Sequence, residues 1–281
     1  MFSFWLLGAD LVYPAQRREN EQMQSKMPDQ PCEVSVLIPV CNEADNIGPL
    51  AKEVVAALGT SRFELIMIDD ASTDHSLDVL RALQTEIPQL RVLHHSRNAG
   101  QSHALRSGAL AARGSILCTL DGDGQNVPAD LPALLRHLQR ADAPEPLAMV
   151  AGQRQGRQDP PSKRLGSWLA NQVRKGLLKD ECADTGCGIK AMYRSHYLRL
   201  PFFDHQHRYL PALMRREGYK VEYLPVQHRA RQFGSSNYSN FGRLLVSFRD
   251  LAGLLWLQAR FSSPETVEEL PRKSTKTKPR T

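Results

Sequence analysis

The chain has 281 residues, of which 41% are hydrophobic and 23% charged, with a formal net charge of +6. These proportions exclude a disordered chain and leave room for one large domain or two small ones. The positive balance points to anionic partners such as phosphates or an acidic membrane surface. No nucleic-acid-binding motif is present, so nucleic acid is not expected as a partner.

Met1–Tyr13 is apolar but short, is interrupted by Asp10 and lacks the basic start of a signal peptide. Residues 16–31 are polar and contain Pro28 and Pro31, so residues 1–32 are expected to be an arm and linker. Val34–Ile38 is a compact apolar run closed by Pro39, the pattern of a buried strand. Helical spacing follows in Ile47, Leu50, Ala51, Val54, Val55 and Leu58. The alternation then repeats: strand Phe63–Ile68, helix Leu77–Leu83, short strand Arg91–Leu93, helix Gln101–Ala112, strand Ser115–Leu120, helix Leu131–Leu138, strand Ala148–Ala151. Such alternation predicts an α/β fold with a mostly parallel sheet and helices on both faces.

The second half is less regular. Ser162–Leu178 has the spacing of a basic amphipathic helix, and Asp184–Lys190 is a Gly-rich loop entering a strand. Tyr209–Glu217 reads as a helix, Lys220–Val226 as a strand and His228–Tyr238 as a polar, basic loop. Phe241–Phe261 reads as a helix with an apolar face and Arg243, Arg249 and Arg260 interspersed; Arg249, Asp250 and Arg260 make its apolar stretch Leu244–Phe261 too charged for a clean membrane span. One domain is therefore expected over 33–238, an amphipathic helix over 239–262 and a disordered basic tail over 263–281. Five cysteines without zinc-like pairing read as reduced thiols in a cytosolic compartment. His205 and His207 have no third ligand beside them and read as structural.

Ligands in open α/β sheets bind beyond the carboxyl ends of the strands. Four polar clusters stand there: Pro39–Glu43, Asp69–Asp74, Asn98–Gln101 and Asp121–Gln125. Asp121 and Asp123 lie one residue apart after a buried strand, where two bare charges repel. A divalent cation relieves that repulsion, and Mg²⁺ or Mn²⁺ prefers such oxygen ligands, to which Gln125 adds one more. An Asp/Gly-rich turn closing a strand has the same appearance. The acidic pair Asp69 and Asp70 suits base or ribose hydrogen bonds, while Ser72 or Asp74 suits helix capping. Arg154, Arg157, Lys163 and Arg164 follow the fifth strand and offer charge to a diphosphate or an acceptor phosphate. His228–Tyr238 combines cations, hydroxyls and a glycine, as in a loop that closes over a phosphate.

Taken together and in this order, the clusters resemble the inverting family-two glycosyltransferases of GT-A fold. The resemblance runs from about Val34 to Arg260 and favours the dolichyl-phosphate mannose synthase-like branch with its bacterial polyprenyl-phosphate sugar transferases. It implies nucleotide-sugar contacts at Pro39, Cys41, Glu43, Asp69, Asp70, Gln101, Asp121, Gly122 and Asp123. It implies a metal at Asp121, Asp123 and Gln125, and an acceptor phosphate near Lys163, Arg164, Arg229, Arg231 and Ser235. Asp123, Arg154, Arg164 and Asp184 are then the catalytic set, with Asp184 as base only for a hydroxyl acceptor. Cys41 stands where an aromatic residue is frequent, Asn237 where lysine is, and Lys190 where arginine is. No transmembrane pair is expected after residue 261, and the Gln-x-x-Arg-Trp motif of processive polysaccharide synthases is absent.

The implied reaction moves one hexose from a GDP- or UDP-sugar to a polyprenyl (undecaprenyl or dolichyl) phosphate, using Mg²⁺ or Mn²⁺. The amphipathic helix and basic tail would then hold the protein peripherally on the cytoplasmic face of the inner or plasma membrane; a core helix with a solvated tail has the same pattern. Two other readings share the motifs: transfer to a glycan or soluble hydroxyl, and a non-catalytic nucleotide-binding relative.

Overall fold

The computed structural model describes residues 32–155, 176–178, 181–182, 184–231 and 240–262, with the backbone alone at 240–247. Among these residues seven strands form one sheet: β1 (Val34–Val40), β2 (Phe63–Asp69), β3 (Leu90–His94), β4 (Ile116–Thr119), β5 (Leu147–Arg154), β6 (Lys190–Tyr193) and β7 (Lys220–Val226). Their order across the sheet is β3-β2-β1-β4-β6-β5-β7. All seven residues of β2 and six of β1 are buried, as unbroken Val/Ile/Leu runs covered on both faces require.

Helices α1 (Ala44–Leu58), α2 (Ser76–Glu86) and α4 (Leu131–Leu138) bury one apolar stripe each in a core with Val36, Ile38, Leu65 and Met67. On the other face, α3 (Gln101–Ala111), α5 (Arg194–Arg199), α6 (Leu210–Arg216) and α7 (Asn240–Ala259) share a second core with Leu37, Ile66, Ile68 and Leu117. Burial of each such Leu or Ile side chain is worth about 1.5–3 kcal/mol. Within the described residues the expected strands and helices are present with boundaries shifted by a few residues. Of the helix expected over Ser162–Leu178, only 176–178 falls within the described residues, and those three are helical.

The sheet is mostly parallel, with one exception: β6 runs antiparallel to both neighbours, β4 and β5. The exception brings Lys190, at the start of β6, level with Thr119 at the end of β4 and Ala151 near the end of β5. Val40 is level with Asp69 in the β1–β2 register. The carboxyl ends of the six other strands and the amino end of β6 thus lie along one rim.

Candidate active site

The turns after β1 and β2 are locked together. Asn42, at φ 58°, accepts hydrogen bonds at Oδ1 from the backbone amides of Thr73 (2.7 Å) and Asp74 (3.3 Å). In return the Asn42 amide donates to Ser72 Oγ (3.0 Å) and the Glu43 amide to Ser76 Oγ (2.9 Å). Asp74 accepts from the Ser76 amide at the start of α2 (2.9 Å), the capping role expected there. Cys41 sits exposed on the rim of this double turn.

Asp69 and Asp70 are buried behind it. Asp69 pairs with His94 Nδ1 at 2.8 Å. Asp70 receives His95 Nδ1 (2.7 Å) and the amides of Ala99 (2.9 Å) and Gly100 (2.6 Å). Their oxygens therefore tie down the loop between β3 and α3, a role that the acidic pattern alone did not reveal.

The acidic turn after β4 is tightly built. Asn126 Oδ1 accepts the Asp121 amide (2.9 Å), and Asp123 Oδ1 accepts the Gln125 amide (3.1 Å). Two glycines are required by close approach: a Cβ on Gly122 would lie 2.6 Å from the Pro39 carbonyl, and one on Gly188 would lie 2.2 Å from Asp121 Oδ2. Gln101 Nε2 donates to Asp121 Oδ1 at 2.8 Å. Burial raises the Asp121 carboxyl above its ordinary range, and the Asp123 charge raises it further; Lys190, the Gln101 hydrogen bond and Arg154 oppose them. A buried carboxylate whose charge is disfavoured by a second carboxylate beside it fits a hard divalent cation. Among the described residues no group of three or more His, Cys, Asp or Glu side chains is placed to hold a metal ion.

Across from this turn, Arg154 at the end of β5 makes a two-pronged pair with Asp184, with Nε–Oδ2 and Nη2–Oδ1 both 2.6 Å. Burial disfavours the guanidinium charge, but Asp184 outweighs it and raises Arg154 above its ordinary range. Lys190 is buried, donates to the Cys187 carbonyl and adds a second cation near Asp121. Arg229 spans the Gly124 carbonyl and Glu53, the latter at 2.9 Å, while its own amide donates to the Gln125 carbonyl (3.1 Å). Arg231 pairs with Glu43. The two arginines expected at an acceptor phosphate thus strap the segment after β7 over the acidic turn and the β1 turn, each engaged with a glutamate. Lys163, Arg164 and Ser235 lie outside the described residues.

Sequence reasoning missed Asn42, Asn126 and the counter-charge of Lys190; only Asn42 and Lys190 lay inside stretches it had marked. On α7, Leu251, Leu254, Leu255 and Leu257 face the core, while Phe248 and Trp256 are 60% and 62% exposed. No helix among the described residues is long and apolar enough to cross a membrane.

The glycosyl transferase family 2 profile matches residues 35–200. The chain is 33% identical over 217 residues to the dodecaprenyl-phosphate galacturonate synthase of Rhizobium johnstonii, covering 75% of this chain and 63% of that protein. It is 33% identical over 226 residues to the undecaprenyl-phosphate 4-deoxy-4-formamido-L-arabinose transferase of Klebsiella pneumoniae subsp. pneumoniae, covering 79% of this chain and 67% of that one. The chain therefore spans about two thirds of the length of these relatives. Glucosyl-3-phosphoglycerate synthase of Mycobacterium tuberculosis, solved with Mn²⁺, UDP and glucosyl-3-phosphoglycerate, matches in fold with a TM-score of 0.62 at 19% identity, over 88% of this chain and 85% of that one. By sequence, strand order and the acidic turn after β4, the chain belongs to glycosyl transferase family 2 and has the GT-A fold.

Proposed function

We propose that this chain is a metal-dependent inverting glycosyltransferase that moves one sugar from a nucleotide sugar to a polyprenyl phosphate. The observation that carries the reading is the Asp121/Asp123 pair on the rim of β4 with Arg154 and Lys190 in electrostatic reach. The two polyprenyl-phosphate sugar transferases that are 33% identical to it over 217 and 226 residues supply the acceptor class.

Mg²⁺ or Mn²⁺ would be held by Asp121, Asp123 and Gln125. When bound, it supplies positive charge to the leaving diphosphate. Cys41 and Glu43 stand at the rim for the base and ribose, on a turn that Asn42 keeps rigid. Arg154 and Lys190 bring fixed positive charge to the diphosphate end, and Lys163 and Arg164 are assigned to the phosphates with them. A phosphate acceptor is already anionic near neutral pH. Its oxygen attacks the anomeric carbon opposite the departing nucleoside diphosphate and inverts that centre without a general base. A hydroxyl acceptor needs a base, and Asp184, the candidate, has both oxygens on Arg154. That pairing favours the phosphate acceptor.

The exposed side of α7 carries Phe248, Trp256 and two cations, Arg249 and Arg260, with the Arg260 guanidinium 5.9 Å from the Trp256 ring. Aromatic residues flanked by arginines suit the interface of an anionic leaflet, where the lipid acceptor resides. The reading places the protein peripherally on the cytoplasmic face of the membrane.

The test is transfer of radiolabelled sugar into organic-extractable lipid. Purified protein and undecaprenyl phosphate are supplied with GDP-mannose, UDP-glucose, UDP-N-acetylglucosamine or a nucleotide-activated galacturonic acid, with Mg²⁺, Mn²⁺ or EDTA. Metal-dependent label in the lipid phase from one donor is expected and names the sugar. Donor binding without lipid label from any donor overturns the assigned acceptor.

A further inference from the structure

The first turn of α3 joins three parts of the rim through three consecutive residues. The Gly100 amide, at φ 88°, donates to Asp70 Oδ2 (2.6 Å) beside the Ala99 amide on Oδ1 (2.9 Å). Gln101 Nε2 reaches Asp121 Oδ1 at 2.8 Å. Ser102 Oγ accepts the His207 amide (3.2 Å) and lies 2.8 Å from His207 Nδ1. Ser102 thus holds His207 through both its backbone amide and its ring. His207 belongs to the turn Gln206–Arg208, anchored by the fully buried Gln206 through Pro201. The backbone carrying Gln101 is therefore clamped on both sides, by Asp70 and by the Ser102–His207 pair.

Asp121 is confined as well. One oxygen is taken by Gln101, and Gly188 packs so closely on the carboxylate that no side chain fits between them. Its amide is fixed by Asn126. We propose that Gln101 is a positioning residue for the metal carboxylate: its amide holds Asp121 Oδ1, so that the carboxylate meets the cation in one preset orientation. The inference rests on the metal assignment proposed above, and it gives Gln101 a different task from direct contact with the nucleotide sugar. Hydrogen bonds to metal-ligating carboxylates tune affinity in this way, typically by about 10–100-fold.

The experiment compares wild type with Gln101→Met, which keeps length and removes the donor, and Gln101→Asn, which keeps the amide but falls a methylene short. Free Mn²⁺ is followed by electron paramagnetic resonance in the presence of UDP, UDP affinity is measured separately in EDTA, and turnover is titrated with Mn²⁺. The expected result is Mn²⁺ binding weakened about tenfold or more in both variants. UDP affinity in EDTA stays at the wild-type value, and the Mn²⁺ requirement rises while kcat at saturating Mn²⁺ falls by less than about threefold. A merely structural role would lower the melting temperature without moving the metal requirement. Mn²⁺ affinity unchanged in either folded variant overturns the inference. So does a loss of UDP affinity in EDTA equal to the loss of Mn²⁺ affinity, which would make Gln101 a nucleotide contact. Wild-type protein that binds no Mn²⁺ overturns the metal reading itself. Wild type that binds Mn²⁺ and UDP but labels no lipid overturns the acceptor assignment and leaves the Gln101 comparison intact.

Discussion

The loops after the first four strands and the segments around the last three hold their polar groups by different means. On the first side, oxygens are satisfied largely by backbone amides: Asp70 by Ala99 and Gly100, Asn42 by Thr73 and Asp74, Asn126 by Asp121. On the second side, charged side chains hold one another: Arg154 with Asp184, Arg229 with Glu53, Arg231 with Glu43. An oxygen held by amides keeps its place whatever binds nearby. A guanidinium can trade a carboxylate for a phosphate, since both offer the same two-pronged geometry. The partly exposed pairs at Arg229 and Arg231 give up little in that trade. The difference suits a fixed seat for the nucleotide sugar on the first side and, at Arg229 and Arg231 on the second, cations that an acceptor phosphate can exchange.

The comparison breaks most severely at Asp123. Asp123→Asn keeps the shape of the turn and removes the charge, so kcat/KM for sugar transfer should fall by about 10²–10⁴-fold, the equivalent of about 3–5 kcal/mol. Folding stability should hold or rise, because the Asp121 carboxyl loses its nearest repulsion. A fall in kcat/KM of less than tenfold would remove Asp123 from the metal site. A smaller break is expected at Arg154. Arg154→Met leaves the 8%-exposed Asp184 without its guanidinium and should cost about 3 kcal/mol in denaturant unfolding. Replacing Asp184 by Leu in the same protein should recover most of that loss. Additive costs in the double variant would show that the pair is not the unit holding this side together. The amide-held side is probed by Asn42→Ala, which removes the acceptor for Thr73 and Asp74 and puts alanine at φ 58°. The expected cost is about 2 kcal/mol, with weaker nucleotide-sugar binding and an unchanged KM for the lipid. An equal rise in both KM values would contradict the division between the two sides.

How much of this was legible beforehand depended on the sequence distance between partners. The alternation of apolar runs and helical stripes is local, so β7 and α4 could be read to the residue and the α/β class followed. The acidic turn was legible for the same reason, because Asp121, Asp123 and Gln125 follow within six residues of the end of β4. The reversed direction of β6 was not, since strand direction is decided by pairing with β4, some seventy residues earlier, and a four-residue apolar run reads the same both ways. The ion pairs of Arg229 and Arg231 were not legible, because their glutamates lie 176 and 188 positions away. Asp69 and Asp70 were read by residue type as nucleotide contacts, and burial, which residue type does not carry, turned their oxygens onto His94, His95 and the α3 turn.

The smallest and most gradual effect tests whether the two sides are joined at His207. Burial lowers its imidazole well below the ordinary histidine value, reinforced by the charges of Arg208 and Lys190 and by His205. The folded protein therefore keeps His207 neutral where the unfolded chain, with an ordinary pKa near ~6.5, takes up a proton. The unfolded state then binds more protons, so unfolding free energy rises with pH through this window and falls as pH drops below about 6.5, with a slope approaching about 1.4 kcal/mol per pH unit from this one group. His207→Gln, which retains an acceptor for Ser102 and has no proton to gain, should flatten that slope between about pH 5 and 6.5 while leaving stability near pH 8 within about 1 kcal/mol of wild type. The measurement is urea unfolding of both proteins at half-unit pH steps. Parallel curves would mean that His207 gains its proton as readily in the fold as out of it, and that the Ser102 contact does not require a neutral ring.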